Sequence, residues 1–409
     1  MAGCETGLDL LAVALLNVQP GEENNMKMIK GLLVASLLAL PAAGALANQG
    51  VTDTEILLGE VEPLTGPPSL LGVAHNLGAR LAIAEANANG GVGGRQIRLI
   101  AEDDGYVTSR TIQAVRKLIH QDRVFALTSL SGSGQALAAM PVVAQAGIPA
   151  MVPIGPLPAL YEPPQDNIFV VGQSYTEGMR QLALYLARAY PDRRWGVVLQ
   201  DDDYGRSLAE GIAQARAEAK IDLVFQTTYA RGQRDFASEM LGVKDNNVEV
   251  LIAGGIISEN IAMVKEAERL DISPVMATFW PGRVPEVLKA IGPASDGMYS
   301  VDYVAPINSE AGEAFLNLAR QYLTAEEVAR VNRYTMTGYA STATLIAAMR
   351  SCTGTLTWAC TIAALQNNPP METGVMAPIT FGEGGRFSNS PVRIMRADFE
   401  SLSYELVGD

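Results

Sequence analysis

Short apolar runs alternate with amphipathic helical patterns along most of this chain, beginning near residue 55. Residues 56–61 and 97–101 have strand composition, and residues 75–88 and 109–120 place apolar side chains at helical spacing. Repeated strand–helix units of this kind predict a parallel sheet with helices on both faces. The sequence therefore predicts an α/β fold.

The alternation restarts at residue 168, which indicates a second lobe. A chain of 409 residues is also longer than a single hydrophobic core usually supports. We expect two doubly wound parallel sheets whose strands end along one shared cleft, where open α/β sheets bind ligands. The predicted division is residues 51–171 and 298–377 for the first lobe, and residues 172–297 and 378–409 for the second, with the last strands at 379–381 and 392–397.

The amino terminus has the pattern of an export signal. A basic start at Met26 precedes an apolar run over residues 31–40 and the small-residue site Ala45–Ala47. This order is typical of a cleavable signal peptide, and the run is too short for a comfortable membrane span. We therefore exclude residues 1–47 from the folded protein and expect a periplasmic product that begins at Asn48.

Two cysteines remain after the predicted cleavage, which removes Cys4. Cys352 and Cys360 would then be the only thiols in an oxidising compartment, which favours a disulfide between them. A redox-active pair is the alternative, but the Cys-x-x-Cys spacing is missing.

Charge and histidine content exclude several functions. The 30 basic and 44 acidic residues give a net charge of −14, which disfavours nucleic acid as a partner. His75 and His120 are the only histidines, and neither lies in a cluster at metal-ligand spacing. We expect both at the surface or at helix ends, with no zinc site.

No arrangement of residues typical of catalysis is visible. The sequence has no Gly-x-Ser-x-Gly elbow, no phosphate-binding loop and no triad histidine. Gly90–Gly94 is rich in glycine, but it follows a helix and precedes a strand, the reverse of a dinucleotide-binding turn. We predict neither an enzyme nor a cofactor.

Five segments, in order, resemble one known family over about residues 51–405. They are residues 63–66, 84–95, 102–104, 203–205 and 381–387. The family is that of the type I periplasmic substrate-binding proteins of ABC importers, in particular the branch that binds leucine, isoleucine and valine. The resemblance implies two lobes joined by three crossovers, and a monomer that closes on a small-molecule ligand and delivers it to a membrane permease.

The resemblance also implies binding residues in the first lobe. Ser131, Gly132 and Ser133 match the loop that holds a ligand carboxylate at a helix start, where unpaired N–H groups favour anions. The simpler alternative is that a serine only caps this helix. Ile154 and Gly155 match the loop that binds the ligand amino group, although the hydroxyl residue of the family is not evident here.

In the second lobe the resemblance implies that Tyr204 packs on the ligand. Phe279 and Trp280 stand where amino-acid binders have an acidic residue for the ligand ammonium, and Arg283 follows. A buried ammonium without a carboxylate is costly. The sequence therefore leaves the ligand open: it is an amino acid, or an aromatic or aliphatic acid without an α-amino group. For an amino acid, Glu177, Asp202 or Asp203 could provide the counter-charge of the ammonium from another position. A ligand sensor for a signalling partner is the alternative role.

Overall fold

Two β-sheets covered by helices make up the folded chain in a computed structural model. The structure describes residues 49–367, 369–382 and 384–408. The predicted signal peptide and Cys4 lie outside these ranges. The strands are β1 (Glu55–Glu62), β2 (Gln96–Asp103), β3 (Ala126–Leu130), β4 (Ala150–Val152), β5 (Ile168–Gly172), β6 (Arg194–Gln200), β7 (Asp222–Tyr229), β8 (Val250–Gly254), β9 (Val275–Ala277), β10 (Tyr299–Asp302), β11 (Phe387–Asn389), β12 (Arg393–Asp398) and β13 (Ser403–Gly408).

Helices cover both sheets. Besides the α-helices, three short 3-10 helices span Pro158–Leu160, Trp280–Gly282 and Pro293–Ser295. The α-helices are α1 (Ser69–Ala88), α2 (Thr108–His120), α3 (Ser133–Ala146), α4 (Tyr175–Ala189), α5 (Asp203–Glu218), α6 (Ala237–Asp245), α7 (Ser258–Arg269), α8 (Pro285–Ile291), α9 (Glu310–Tyr322), α10 (Ala325–Val328), α11 (Arg333–Ser351) and α12 (Trp358–Asn367). None of the described helices is long and apolar enough to cross a membrane.

Both sheets have the strand order expected of doubly wound lobes. The first runs β11-β5-β4-β3-β1-β2 and is parallel throughout. The second runs β13-β12-β10-β9-β8-β6-β7, with β12 antiparallel to both neighbours. The predicted α/β fold is confirmed. In each sheet the strand order changes direction at one point, between β1 and β3 in the first sheet and between β6 and β8 in the second. Open α/β sheets bind ligands at such switch points.

The predicted lobe boundaries need correction at two strands. Tyr299 of β10 pairs with Ala277 of β9, and β10 also pairs with β12, so the chain returns to the first lobe after Asp302 and not at residue 298. β11 pairs with β5, which places residues 387–389 in the first sheet. The lobes are thus joined by three crossovers, after β5, β10 and β11.

One predicted strand is absent, and some short elements were missed. Of residues 379–381, only Ile379 makes a bridge, to Met371. The missed elements are β11, β13, α8 and α10. They have no more than seven residues each, which is too few for a periodic pattern to establish.

The disulfide region closes the far end of the first lobe. Cys352 and Cys360 are bonded, with Cα atoms 5.9 Å apart. Cys352 follows the last residue of α11 and Cys360 lies in the first turn of α12. The bridge therefore fixes the path between these two helices.

α1 and α11 touch through their backbones in the first lobe. A Cβ atom on Gly78 would lie 2.0 Å from the carbonyl oxygen of Thr335, and one on Gly338 would lie 2.2 Å from that of His75. Only glycine permits so close an approach. These glycines bring α11 against α1, and the amino end of α11 reaches the cleft as a result.

We expect Gly78→Ala to destabilise the protein by about 1–3 kcal/mol, because the added methyl group forces two buried helices apart. Urea unfolding followed by tryptophan fluorescence measures this. Gly134→Ala is the matched control in a helix, since its added methyl would meet no atom closer than 3.7 Å. Equal stability of Gly78→Ala and the control would contradict the close packing.

Candidate functional site

A narrow cavity lies between the two lobes, where several parallel strands end. Its free volume is about 20 Å³, room for about one water molecule, so the side chains of the two lobes nearly meet across it. Residues that follow β3 and β4 form one side of the cavity, and residues that follow β6, β8 and β9 form the other. The cavity is lined by Leu71, Tyr106, Gly132, Ser133, Pro153, Ile154, Gly155, Tyr175, Tyr204, Ile256, Trp280, Pro281, Tyr303, Arg333 and Tyr334.

The two predicted loops of the first lobe meet at this cavity. Gly132 and Gly155 have φ values of +88° and +91°, which favour glycine. A Cβ atom on Gly155 would lie 2.6 Å from the backbone nitrogen of Ser133, so the loops touch through their backbones. Ile154 lines the cavity beside them, whereas Ser131 is buried and does not line it.

The helix-capping alternative for the serines is not observed. The residue before α3 is Gly132, and no side chain caps this helix. Ser133 is the first residue of α3 and lines the cavity. The unpaired N–H groups of the first turn therefore lie at the cavity wall.

Aromatic rings form the wall on the second lobe. Tyr204 and Trp280, two of the predicted ligand-binding residues, line the cavity, and Tyr175, which the sequence reasoning missed, lies between them. The ring centroid of Tyr175 lies 4.9 Å from that of Tyr204 and 5.3 Å from that of Trp280. Phe279 packs behind Trp280 and is not a lining residue.

The tyrosine hydroxyls of this wall are neutral at physiological pH. Burial raises the pKa of Tyr175 and Tyr204 well above the ordinary value. The Tyr204 hydroxyl donates to the carbonyl oxygen of Gly255 at 3.4 Å. The wall therefore offers ring faces and neutral hydroxyls to a ligand.

Arg283 does not line the cavity, contrary to the prediction. Its guanidinium forms a buried ion pair with Asp302, the last residue of β10. Arg333, the first residue of α11, binds the same carboxylate from the first lobe, with Nε at 2.5 Å and Nη2 at 3.0 Å. Arg333 also lines the cavity, so it stands where Arg283 was expected.

The cluster of Arg283, Asp302 and Arg333 has a net positive charge in a buried place. Burial alone would raise the pKa of Asp302, but the charges of Arg283 and Arg333 outweigh that effect and lower the pKa. One carboxylate thus faces two guanidinium groups. Nε and Nη2 of Arg333 bond to Asp302, and its guanidinium also lies over the rings of Tyr303 and Tyr334, 5.4 Å and 4.6 Å from their centroids.

The acidic residues proposed as displaced counter-charges do not line this cavity. Glu177 pairs with Arg180 at 2.7 Å, and Asp203 pairs with Arg206 at 2.6 Å. Asp202 pairs at 2.6 Å with Arg231. Each carboxylate already has a cationic partner.

An outer cavity of about 170 Å³ adjoins the inner one and shares Tyr106 and Ile256 with it. Arg231 of the second lobe lies over the ring of Tyr106 of the first, 4.6 Å from its centroid. Cation–π contact of this kind is attractive. This contact therefore helps to hold the lobes together at the mouth of the cleft.

The two histidines differ in how deeply their side chains are buried. His120 is exposed at the end of α2, as predicted, but His75 is fully buried within α1, beside Glu60 and Glu62. Burial, then the charge of Glu62, raises the pKa of Glu60 to about 7. Burial would lower the pKa of His75, yet the charge of Glu62 raises it. The expectation that no carboxylates cluster around a histidine is wrong.

Two sequence signals could have revealed Arg333. The helix dipole disfavours a cation in the first turn of a helix, so an arginine there needs a specific partner. Asp302 also stands at the end of a buried strand, where an aspartate needs a cation. Neither signal tells which residues pair, because that depends on the packing of α11.

Comparisons with known proteins agree with this architecture. A family model described as periplasmic binding protein matches residues 55–401. The Leu/Ile/Val-binding protein homolog 7 of Brucella melitensis biotype 1 is 26% identical, over 58% of this chain and 61% of its own length.

Solved structures share the fold at low sequence identity. A branched-chain amino acid ABC transporter protein from Thermus thermophilus with bound valine has a TM-score of 0.78 and 18% identity, over 88% of this chain and 97% of that one. A solute-binding protein from R. palustris in complex with 4-hydroxybenzoate has a TM-score of 0.75 and 16% identity, over 87% and 95%. Both therefore have this type I periplasmic binding protein fold.

We expect Asp302→Asn to destabilise the protein by about 3–5 kcal/mol, since two buried guanidinium groups lose their only carboxylate in this cluster. The extra stability of the wild type over this variant is fully present above about pH 4, the ordinary pKa of an aspartate. It is lost as the pH falls through the lowered pKa of Asp302. Urea unfolding at several pH values measures both effects.

Asp192→Asn is the control, because it breaks the exposed Asp192–Lys220 pair, whose side chains are 74% and 84% exposed. Its unfolding midpoint should stay at the wild-type value. A similarly small effect of Asp302→Asn would contradict the structural role of the cluster.

Proposed function

Because this chain belongs to the periplasmic binding protein family, we propose that it is the periplasmic solute receptor of an ABC importer. Its ligand is a small organic acid without an α-amino group, captured as the two lobes close. The predicted signal peptide supports the location, and the resemblance supports a permease as the partner that receives the ligand.

One observation favours an acid over an amino acid. Among the residues that the structure describes, Arg333 is the only charged residue that lines the inner cavity. It has a net positive cluster behind it, since Asp302 is shared with Arg283. A carboxylate would therefore neutralise a buried charge, whereas an ammonium group would lose its hydration without gaining a partner, at a cost of several kcal/mol.

The shape of the wall favours a flat ligand body. Tyr175, Tyr204 and Trp280 present ring faces and edges, which suit stacking on an aromatic or planar group. The similar structure from R. palustris contains 4-hydroxybenzoate, an acid of this shape, while that from Thermus thermophilus contains valine. We infer that an aromatic acid suits this cavity better than valine does.

Capture requires the lobes to separate first. With the lobes as close as they are in this structure, the inner cavity has room for about one water molecule. In our mechanism the acid binds Arg333 and the Gly132–Ser133 loop of the open first lobe. The rings of Tyr204 and Trp280 then close over it, a hinge motion driven by contacts available only in the closed state.

Two alternatives keep the same fold. A ligand such as leucine would require an ammonium partner outside the inner cavity. A sensor would pass the closed state to a signalling protein instead of a permease, and genes for a permease and an ATPase beside this one would argue for transport. Recovery of unchanged ligand after incubation would argue against an enzyme.

We expect benzoate-type acids to raise the melting temperature of the purified protein, because a ligand that binds only the folded state stabilises it. Thermal-shift measurements with benzoates, fatty acids, leucine, isoleucine and valine test this. Stabilisation by the amino acids, with none by the acids, would contradict the proposed ligand class and support the alternative.

We expect Arg333→Gln to weaken binding of a stabilising acid about 100-fold, since a charged hydrogen bond is removed from a closed site. Arg283→Gln is the matched control, because it removes the other arginine of Asp302 but does not line the cavity. Calorimetric titration of both variants measures the difference. Equal losses would show that the cluster acts only through the fold.

A further inference from the structure

Glu60, Glu62 and His75 form a second buried cluster, inside the first lobe. Glu60 and Glu62 are two residues apart on β1 and so point to one face of the sheet, and α1 places His75 over that face. All three side chains are fully buried. One ligand atom from each residue can be chosen so that all lie within 4.8 Å of one another.

The polar side-chain atoms of Glu62 and His75 lack hydrogen-bond partners. Both carboxylate oxygens of Glu62 and both ring nitrogens of His75 are buried without one. Nδ1 of His75 is 3.0 Å from Oε1 of Glu62, an ion-pair distance, but the contact lacks hydrogen-bond geometry. Buried carboxylates without compensation are costly, so the cluster needs a compensating positive charge, which either a protonated His75 or a bound cation supplies.

The surrounding groups supply little of that charge. Glu60 accepts hydrogen bonds from Asn76 and, at 3.5 Å, from Thr128, which are both neutral. Asp104 lies near Glu62 and is itself acidic. Arg333 is close enough to affect the pKa of His75, but its Nε and Nη2 bond to Asp302 and not to the two glutamates.

We propose that Glu60, Glu62 and His75 bind one divalent transition metal ion, for which Zn²⁺ is the best match. Two carboxylates bring two negative charges, which one divalent ion neutralises, and a neutral imidazole completes a mixed oxygen and nitrogen donor set. Zn²⁺ and its neighbours in the first transition row accept this set, whereas Ca²⁺ and Mg²⁺ prefer oxygen ligands alone.

One pair of donor atoms has a spacing close to that expected around such an ion. Ligand atoms about 2.0–2.2 Å from a tetrahedral metal lie about 3.3–3.6 Å from one another. The contact between His75 and Glu62, at 3.0 Å, is close to that value. Asn76 and Thr128 would orient Glu60 from outside the coordination shell, a common arrangement at metal sites.

The ion would tie β1 to α1 at the edge of the ligand cleft. Glu62 is the last residue of β1, and Leu71, one turn before His75 in α1, lines the inner cavity. The metal would thus have a structural role in the first lobe, independent of which acid binds between the lobes.

Metal content tests the site directly. Protein purified with a tag free of histidine is treated with EDTA, equilibrated by dialysis with micromolar Zn²⁺ and analysed by mass spectrometry for metal. We expect about one Zn²⁺ per chain for the wild type, with a higher melting temperature, and less than about a tenth for His75→Gln and Glu62→Gln.

His120→Gln is the matched control, because His120 is the only other histidine and is exposed. It should bind as much Zn²⁺ as the wild type. Wild-type protein without bound Zn²⁺, or equal binding by His75→Gln, would overturn the proposal. If these variants fail to fold, Glu60→Gln serves instead, because glutamine retains the shape of the side chain. It should lower the affinity for Zn²⁺ at least tenfold. An unchanged affinity for Zn²⁺ would also overturn the proposal.

Discussion

The arrangement of the cleft depends on the burial of Asp302 between two arginines. Asp302 ends β10, Arg283 belongs to the loop after β9, and Arg333 begins α11 in the other lobe. The carboxylate therefore links the end of an interior strand of the second sheet to a helix of the first lobe at a crossover. Since none of the three charges is stable alone in a buried place, the cluster constrains where all three segments lie.

This constraint explains why the cavity is positive and why it belongs to both lobes. α11 lies against α1 because Gly78 and Gly338 permit backbone contact, and its first residue therefore reaches the cleft. The aromatic wall comes from the second lobe, where the rings of Tyr204, Tyr175 and Trp280 pack on one another. A ligand that touches both the guanidinium and the rings can do so only when the lobes are close.

Local sequence determined much of the fold, and distant pairing determined the rest. The helices predicted at residues 75–88 and 109–120 end at the last residues of α1 and α2, because their helical spacing is clear. The sheet to which β10 belongs could not be predicted, since its partner β12 lies about ninety residues further along the chain. The loops that line the cleft could be predicted from the positions where strands end. Which arginine lines the cavity, Arg283 or Arg333, could not, because both pair with Asp302 and no local pattern connects Asp302 to either.

The two buried clusters act on each other through their charges. The Glu60, Glu62 and His75 cluster lies near Arg333, which is close enough to affect the pKa of His75. Two unneutralised carboxylates there would attract the guanidinium and would compete with a ligand anion for it, because Coulomb interactions are weakly screened inside a protein. A divalent ion in the cluster removes this competition. Neutralising the first lobe at its core thus leaves the positive charge of Arg333 available to the cleft, where the proposed acid binds.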